Sequence, residues 1–166
     1  MASMERAAAG GTLLGTATAG AVYPIYSGEE VRLKTRPVDP RSLFRGNYAR
    51  LRYEIGEVPG AEINKLRNPR NGEVVYVRLQ QNADGLYEAN GATLEKPTEG
   101  LFIRGRIQEN FRRSTRSTYQ VKYGIEALFA SRDKALDLEK RLRRSAVARV
   151  MVATNGKATL VDVIEE

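Results

Sequence analysis

Cysteine and histidine are both absent from the 166 residues. Without cysteine there is no disulfide framework and no thiolate chemistry. The missing histidine excludes more, because imidazole is the commonest metal ligand and the one side chain that ordinarily titrates near neutrality. Ser-His-Asp, Cys-His and histidine-zinc sites are ruled out. Also absent are a Gly-x-x-x-x-Gly-Lys-Ser/Thr phosphate loop, a Gly-x-Ser-x-Gly elbow, an EF-hand loop and any internal repeat. What remains for catalysis is a Ser/Lys or Tyr/Lys site, with Ser42, Ser114, Lys122 and Lys134 as raw material that no spacing selects. Paired carboxylates are a further option, but Asp39 reads as a helix cap and Glu54 as a cross-strand ion-pair partner. No catalytic residue, cofactor or metal site is assigned.

A strongly apolar run long enough to cross a bilayer is missing too. Ala7–Gly28 is uncharged over 22 residues, yet only Leu13, Leu14, Val22 and Ile25 are strongly apolar, worth together roughly −2 kcal/mol on an insertion scale. Five glycines, three threonines and Pro24 offset that. Residues 1–28 are read as a weak anchor, a processed signal or a disordered tail, and residues 29–166 as one β-rich domain. If the segment inserts, Arg6 favours an inner N-terminus and an exported domain. Otherwise the domain is cytoplasmic.

Negative charge is scarce: 20 Asp and Glu face 27 Lys and Arg, a net charge of +7. The excess is clustered. Residues 31–53 hold Arg32, Lys34, Arg36, Arg41, Arg45, Arg50 and Arg52 against Asp39 alone. Residues 101–125 hold Arg104, Arg106, Arg112, Arg113, Arg116 and Lys122 against Glu109, and a third cluster is Lys140, Arg141, Arg143, Arg144 and Arg149. Such a surface attracts anionic lipid head groups, nucleic acid or acidic protein, with an affinity that falls as salt rises.

The densest pattern is Asp39–Tyr53. Asp39 as N-cap, Pro40 at the first helical position and Gly46 as a left-handed terminator predict about one helical turn over 39–45. From Tyr48 the period is two. Ala49, Leu51, Tyr53 and Ile55 fall on one face and Tyr48, Arg50, Arg52 and Glu54 on the other, predicting a half-buried strand with a charged outer side. The run Gly46-Asn47-Tyr48-x-x-Leu51-x-Tyr53, after Pro37-Val38-Asp39-Pro40-Arg41, resembles the signature of the GDYXXLXY family of bacterial proteins. The similarity runs from about Val31 to Val163. It implies a membrane-anchored domain of unknown function behind an N-terminal hydrophobic segment. Asn47 stands where the family name has Asp, so that carboxylate is not on hand here. Asp39, Pro40, Gly46, Asn47, Leu51 and Tyr53 are taken as signature residues with structural roles, and Tyr48, Arg50 and Arg52 as the candidate contact face.

Strand signals dominate the rest. Glu29–Arg36 alternates, with Val31, Leu33 and Thr35 opposite Arg32, Lys34 and Arg36. After the 48–55 strand a polar connection of about 17 residues is punctuated by Pro59-Gly60 and by Asn68–Gly72, with room for a short helix such as Ala61–Leu66. Glu73–Gln81 reads as a strand, Ala83-Asp84-Gly85 as a turn and Leu86–Ala89 as its return. Leu101–Ile107 and Thr118–Tyr123 read as partners across the arginine-rich residues 111–117, with Tyr119, Val121 and Tyr123 on one face. Ser131–Arg144 is the principal helix, capped by Ser131, with Ala135, Leu138 and Leu142 inward and Asp137–Arg141 spaced for an ion pair. Ala146–Ala153 and Lys157–Ile164 flank Asn155-Gly156, which suits a two-residue type I′ turn. The fold class is α+β, mainly β: an antiparallel sheet or partly open small barrel of about seven or eight strands, one principal helix and a C-terminal hairpin.

The expected function is that of a non-enzymatic accessory or interaction domain at the bacterial membrane periphery. Its partner would be an integral membrane protein or an anionic lipid surface. A soluble basic nucleic-acid-binding domain is the alternative, and it needs a second aromatic exposed beside Tyr48 and the arginines. A hydrolase of unrecognised type is another, and it needs a concave pocket with convergent Ser, Lys or carboxylate groups.

Overall fold

Alternation in the first strand buries Val31, Leu33 and Thr35 and leaves Arg32 and Arg36 in water, giving β1 (Glu29–Arg36) the bounds its sequence suggests. The computed structural model describes residues 28–38, 44–45, 48–63, 69–108 and 118–165. After β1 come β2 (Phe44–Arg45), β3 (Tyr48–Arg50), β4 (Arg52–Tyr53), a 3-10 turn (Glu54–Gly56), β5 (Glu57–Pro59) and α1 (Gly60–Ile63). Then follow β6 (Val74–Gln81), β7 (Tyr87–Thr93), β8 (Phe102–Gln108), β9 (Thr118–Lys122), β10 (Ala127–Phe129), α2 (Arg132–Leu142), β11 (Ala146–Val152) and β12 (Ala158–Glu165).

The large sheet runs β12-β11-β1-β7-β6-β8-β9-β5, with β4 pairing on β1 beside that path. It curls into an open half-barrel. Val31, Leu33, Val75, Val77, Ile103, Ile107, Val121 and Val150 fill its inner side as one cluster. A second sheet of three short strands runs β10-β3-β2. β1 is the joint: it pairs antiparallel with β11 and meets β7 in parallel at Leu33 and Tyr87, linking the terminal hairpin to the β7-to-β5 half. α2 packs on β3 and β12 and puts Leu138 and Leu142 into the core. Asp137 and Arg141 form the i,i+4 pair at 2.7 Å, and Arg141 also donates to the Val163 carbonyl at 3.2 Å, covering part of the β12 edge.

Four details depart from the sequence pattern. Phe44–Arg45, placed by spacing in a helical turn, form β2 and pair with β3; residues 39–43 lie outside the described set. The 48–55 strand keeps its alternation of burial but changes partners midway, because β3 lies between β2 and β10 while β4 joins β1. Between them the Leu51 N–H donates to the Glu126 carbonyl at 2.9 Å. The polar connection hides β5, where buried Val58 sits between exposed Glu57 and Pro59; a proline is tolerated there because β5 ends the sheet. The predicted helix starts at Gly60, with residues 64–68 outside the described set.

The fourth departure is at the last hairpin. Ala153 N–H bonds the Lys157 carbonyl at 2.9 Å and Gly156 N–H bonds the Ala153 carbonyl at 2.8 Å. Only the glycine has positive φ, +80°, so the loop is Thr154-Asn155-Gly156 with a left-handed last residue and not a type I′ turn. The tip is docked on β8. Gly156 accepts the Arg104 N–H at 2.8 Å, at a point on β8 that β9 does not reach. A Cβ on Gly156 would lie 2.8 Å from the Phe102 ring. One glycine therefore makes the turn and caps an otherwise open strand edge.

Candidate contact face

The signature segment is fixed from behind by two tyrosines. Tyr53, on β4, is buried and its hydroxyl donates to the Ile125 carbonyl at 2.6 Å. Tyr123, just after β9, is buried and its hydroxyl donates to the Ile55 carbonyl at 2.5 Å. Each phenol thus reaches the residue two places beyond the other. Glu126 completes the tie: its carboxylate accepts the Tyr123 and Gly124 N–H groups, and its backbone carbonyl accepts Leu51 N–H. Burial, with the Glu126 charge adding to it, pushes both phenols well above their ordinary 10.0 and keeps them protonated donors. Leu51 and Tyr53 accordingly sit in the core, at 2% and 4% exposure.

In front of this clasp β3 turns Ala49 inward and Tyr48 and Arg50 outward. Antiparallel register sets Phe129 opposite Tyr48 and Ala127 opposite Arg50, with Arg45 of β2 opposite Tyr48 on the other side. Tyr48 is 52% exposed and Phe129 64%, and their rings meet edge to face with centroids 5.5 Å apart at 71°. Two of the three exposed large hydrophobic residues among the described ones are therefore in contact on one small sheet. Arg52 is exposed as well, but it stands on the large sheet opposite Arg36, whose guanidinium pairs with Glu57 at 2.8 Å. The sequence-read face is thus divided, with Tyr48 and Arg50 on one sheet and Arg52 on the other. Among the described residues neither Arg50 nor Arg52 has an ion-pair partner. Asp39, Pro40, Gly46 and Asn47 lie outside the described residues.

Phe129 was not legible as part of this face. β10 is three residues long, too short for a period to show, and its only signal is an aromatic next to Leu128 just ahead of the helix cap. Among the described residues no group of three Asp or Glu could hold a metal ion. One hollow of about 690 Å³ opens between the terminal hairpin tip and residues 96–102, with Glu29 and Lys96 as its charged groups and no serine in its lining. Nothing in it converges on a hydrolytic constellation. Among the described residues no helix is long and apolar enough to cross a membrane; residues 1–27 of the N-terminal segment are outside them.

Fold and surface together define a small, mainly β domain built on a curled open sheet, with an exposed aromatic pair beside Arg50. The chain belongs to the GDYXXLXY protein family, whose model matches residues 12–163, nearly its whole length. Of the residues read as its signature, Leu51 and Tyr53 are among the described ones. No curated protein and no solved structure matches the chain.

Proposed function

We propose that the domain is a non-enzymatic accessory or interaction module at the bacterial membrane periphery, with Tyr48, Phe129 and Arg50 as its contact face. The observation that carries the reading is the exposed ring pair, held on a short sheet whose β3–β10 pairing runs on through the Leu51–Glu126 bond into the tyrosine clasp. Rings left in water gain from burial against another apolar phase. Aromatic side chains suit the zone between head groups and acyl chains, and each basic residue close to an anionic leaflet adds about 1 kcal/mol. The uncharged 22-residue run ahead of the domain supplies a weak anchor that such a face would reinforce. The domain lies on the exported side if that run inserts with Arg6 inside, and on the cytoplasmic side if it does not. A lipid surface or an integral membrane protein is the partner.

Co-sedimentation with vesicles of phosphatidylserine and phosphatidylcholine tests this. Arg50→Glu combined with Arg52→Glu is expected to weaken retention about tenfold or more, with little change in thermal midpoint because both side chains are exposed. Tyr48→Ala with Phe129→Ala should also weaken the retention that survives high salt, since apolar insertion is not screened. Unaltered retention of both variants would sink the reading.

Phe129 also favours a second reading. It supplies the second exposed aromatic that binding of single-stranded nucleic acid requires, at about 1–3 kcal/mol per stacked base. Tight, salt-sensitive binding of oligothymidylate that Tyr48→Ala and Phe129→Ala abolish, with no vesicle retention, would select it.

A further inference from the structure

A second basic surface covers the outer side of β6, β8 and β9, away from the signature in sequence. Register sets Tyr76 opposite Arg104, Arg78 opposite Phe102 and Arg106 opposite Lys122. Residues directly opposite in an antiparallel pair project to the same side. Arg78, Arg104, Arg106 and Lys122 are all exposed, and among the described residues none of them has an ion-pair partner. Arg106 directly facing Lys122 is a like-charge pair, which weakens a sheet unless an outside anion compensates it. The Arg106 guanidinium is moreover held in place, donating from Nη1 to the Gly72 carbonyl at 2.9 Å. A pre-positioned cation loses less freedom on binding.

The chemistry of the occupant follows from what this face offers. Tyr76 is half-buried with its ring edge-on to Phe102, centroids 5.7 Å apart, and Phe102 is itself buried under the hairpin tip. Among the described residues no exposed ring is there for a base to stack on. The face is the convex side of a curled sheet, which a stiff duplex could touch only over a short tangent. An extended polypeptide is flexible enough to follow it. Every second side chain of such a chain is about 6.6–6.8 Å from the last, the same interval that separates Arg104 from Arg106 along β8.

We propose that the β6–β8–β9 face binds an acidic, extended segment of a partner protein, whose alternate carboxylates pair with Arg78, Arg104, Arg106 and Lys122. Fluorescence anisotropy of a labelled peptide of alternating Glu and Thr tests it on the full chain. Arg78→Gln, Arg104→Gln and Lys122→Gln together are expected to weaken binding about tenfold or more at low salt while the thermal midpoint holds. Reversal of the same three residues to Glu should transfer preference to an alternating Lys and Thr peptide. Arg50→Gln with Arg52→Gln should leave the acidic peptide bound, and the triple glutamine variant should leave vesicle retention intact, which separates this surface from the proposed membrane face. Unchanged affinity in the triple variant, or an equal loss in the Arg50 and Arg52 variant, would overturn the proposal in favour of diffuse net charge. Tighter binding of oligothymidylate through the same three residues would overturn it in favour of nucleic acid, and loss of vesicle retention in the triple variant would reassign the face to lipid.

Discussion

Tyr53→Ala and Tyr123→Ala are each expected to cost about 3–5 kcal/mol, the range for emptying a buried aromatic site. That is a large share of the roughly 5–15 kcal/mol a domain of this size possesses. The phenylalanine replacements keep the ring and remove only the donor to Ile125 or Ile55, so about 1–3 kcal/mol is expected from each. Because both hydroxyls tie the same two segments, the double phenylalanine variant should depart from additivity, which urea midpoints of the four-protein cycle will measure. Alkaline pH provides an independent check. The buried phenols have raised pKa values, so above their ordinary 10.0 the unfolded chain releases protons that the folded chain keeps. Stability contributed by the clasp is complete below that value and is lost as pH climbs past it, by up to about 1.4 kcal/mol per tyrosine and pH unit. Between about pH 9 and 11 the double phenylalanine variant should lose less stability than the parent chain. An equal loss in both would show that these phenols titrate as exposed groups.

Gly105→Ala should be the most damaging single-methyl change on β8. A Cβ there would lie 2.9 Å from Tyr123 Cδ1 and 3.0 Å from the Lys122 carbonyl oxygen, and closer still to a Val121 methyl. The tyrosine is pinned by its bond to Ile55, and the carbonyl belongs to the neighbouring strand, so neither can retreat cheaply. About 1–3 kcal/mol is expected for alanine, at the upper end of that range, and loss of folding for valine. Val121→Ala added to Gly105→Ala should return part of the loss. If the second substitution only adds its own destabilisation, crowding is not the cause and the glycine matters through its backbone.

Local pattern carried the sequence reading wherever one face of a strand is buried along its whole length. β1 has its apolar residues at strict intervals of two, β6 has Val75, Val77 and Leu79 on one side, and burial of Val31, Leu33, Val75, Val77 and Leu79 follows that interval. The same logic put Leu51 and Tyr53 inside and Tyr48, Arg50 and Arg52 outside. It could not show that the chain changes sheets at Leu51, because that switch is set by an acceptor on Glu126, 75 positions further on in the numbering. Nor could it find β5, where Pro59-Gly60 has the composition of a turn and the strand owes its existence to an unpaired edge of β9. Asn155-Gly156 carries a real hairpin signal, yet the contact of Gly156 with Phe102 and Arg104 accompanies a three-residue loop. Phe129 and the reciprocal bonds of the tyrosines were hidden for one reason. Both depend on which segments meet across the fold, and a two-fold period says only which way a side chain points.

The pairing of β1 has a consequence for when this protein can fold. The Thr35 hydroxyl donates to the carbonyl of Ala146, 111 positions away, and β11 runs alongside β1 for most of its length. During synthesis this interior strand therefore precedes every other strand of the sheet, while its partner β11 belongs to the hairpin that follows all the rest. Contacts of such long sequence separation slow folding, toward roughly milliseconds to seconds for sheet-rich domains. In that interval β1 must wait beside an emerging chain without pairing wrongly, and Arg32, Lys34 and Arg36 on alternate positions are the kind of charges that keep a waiting strand from finding a neighbour's edge. The order of manufacture holds the large sheet incomplete until the terminal hairpin has left the ribosome.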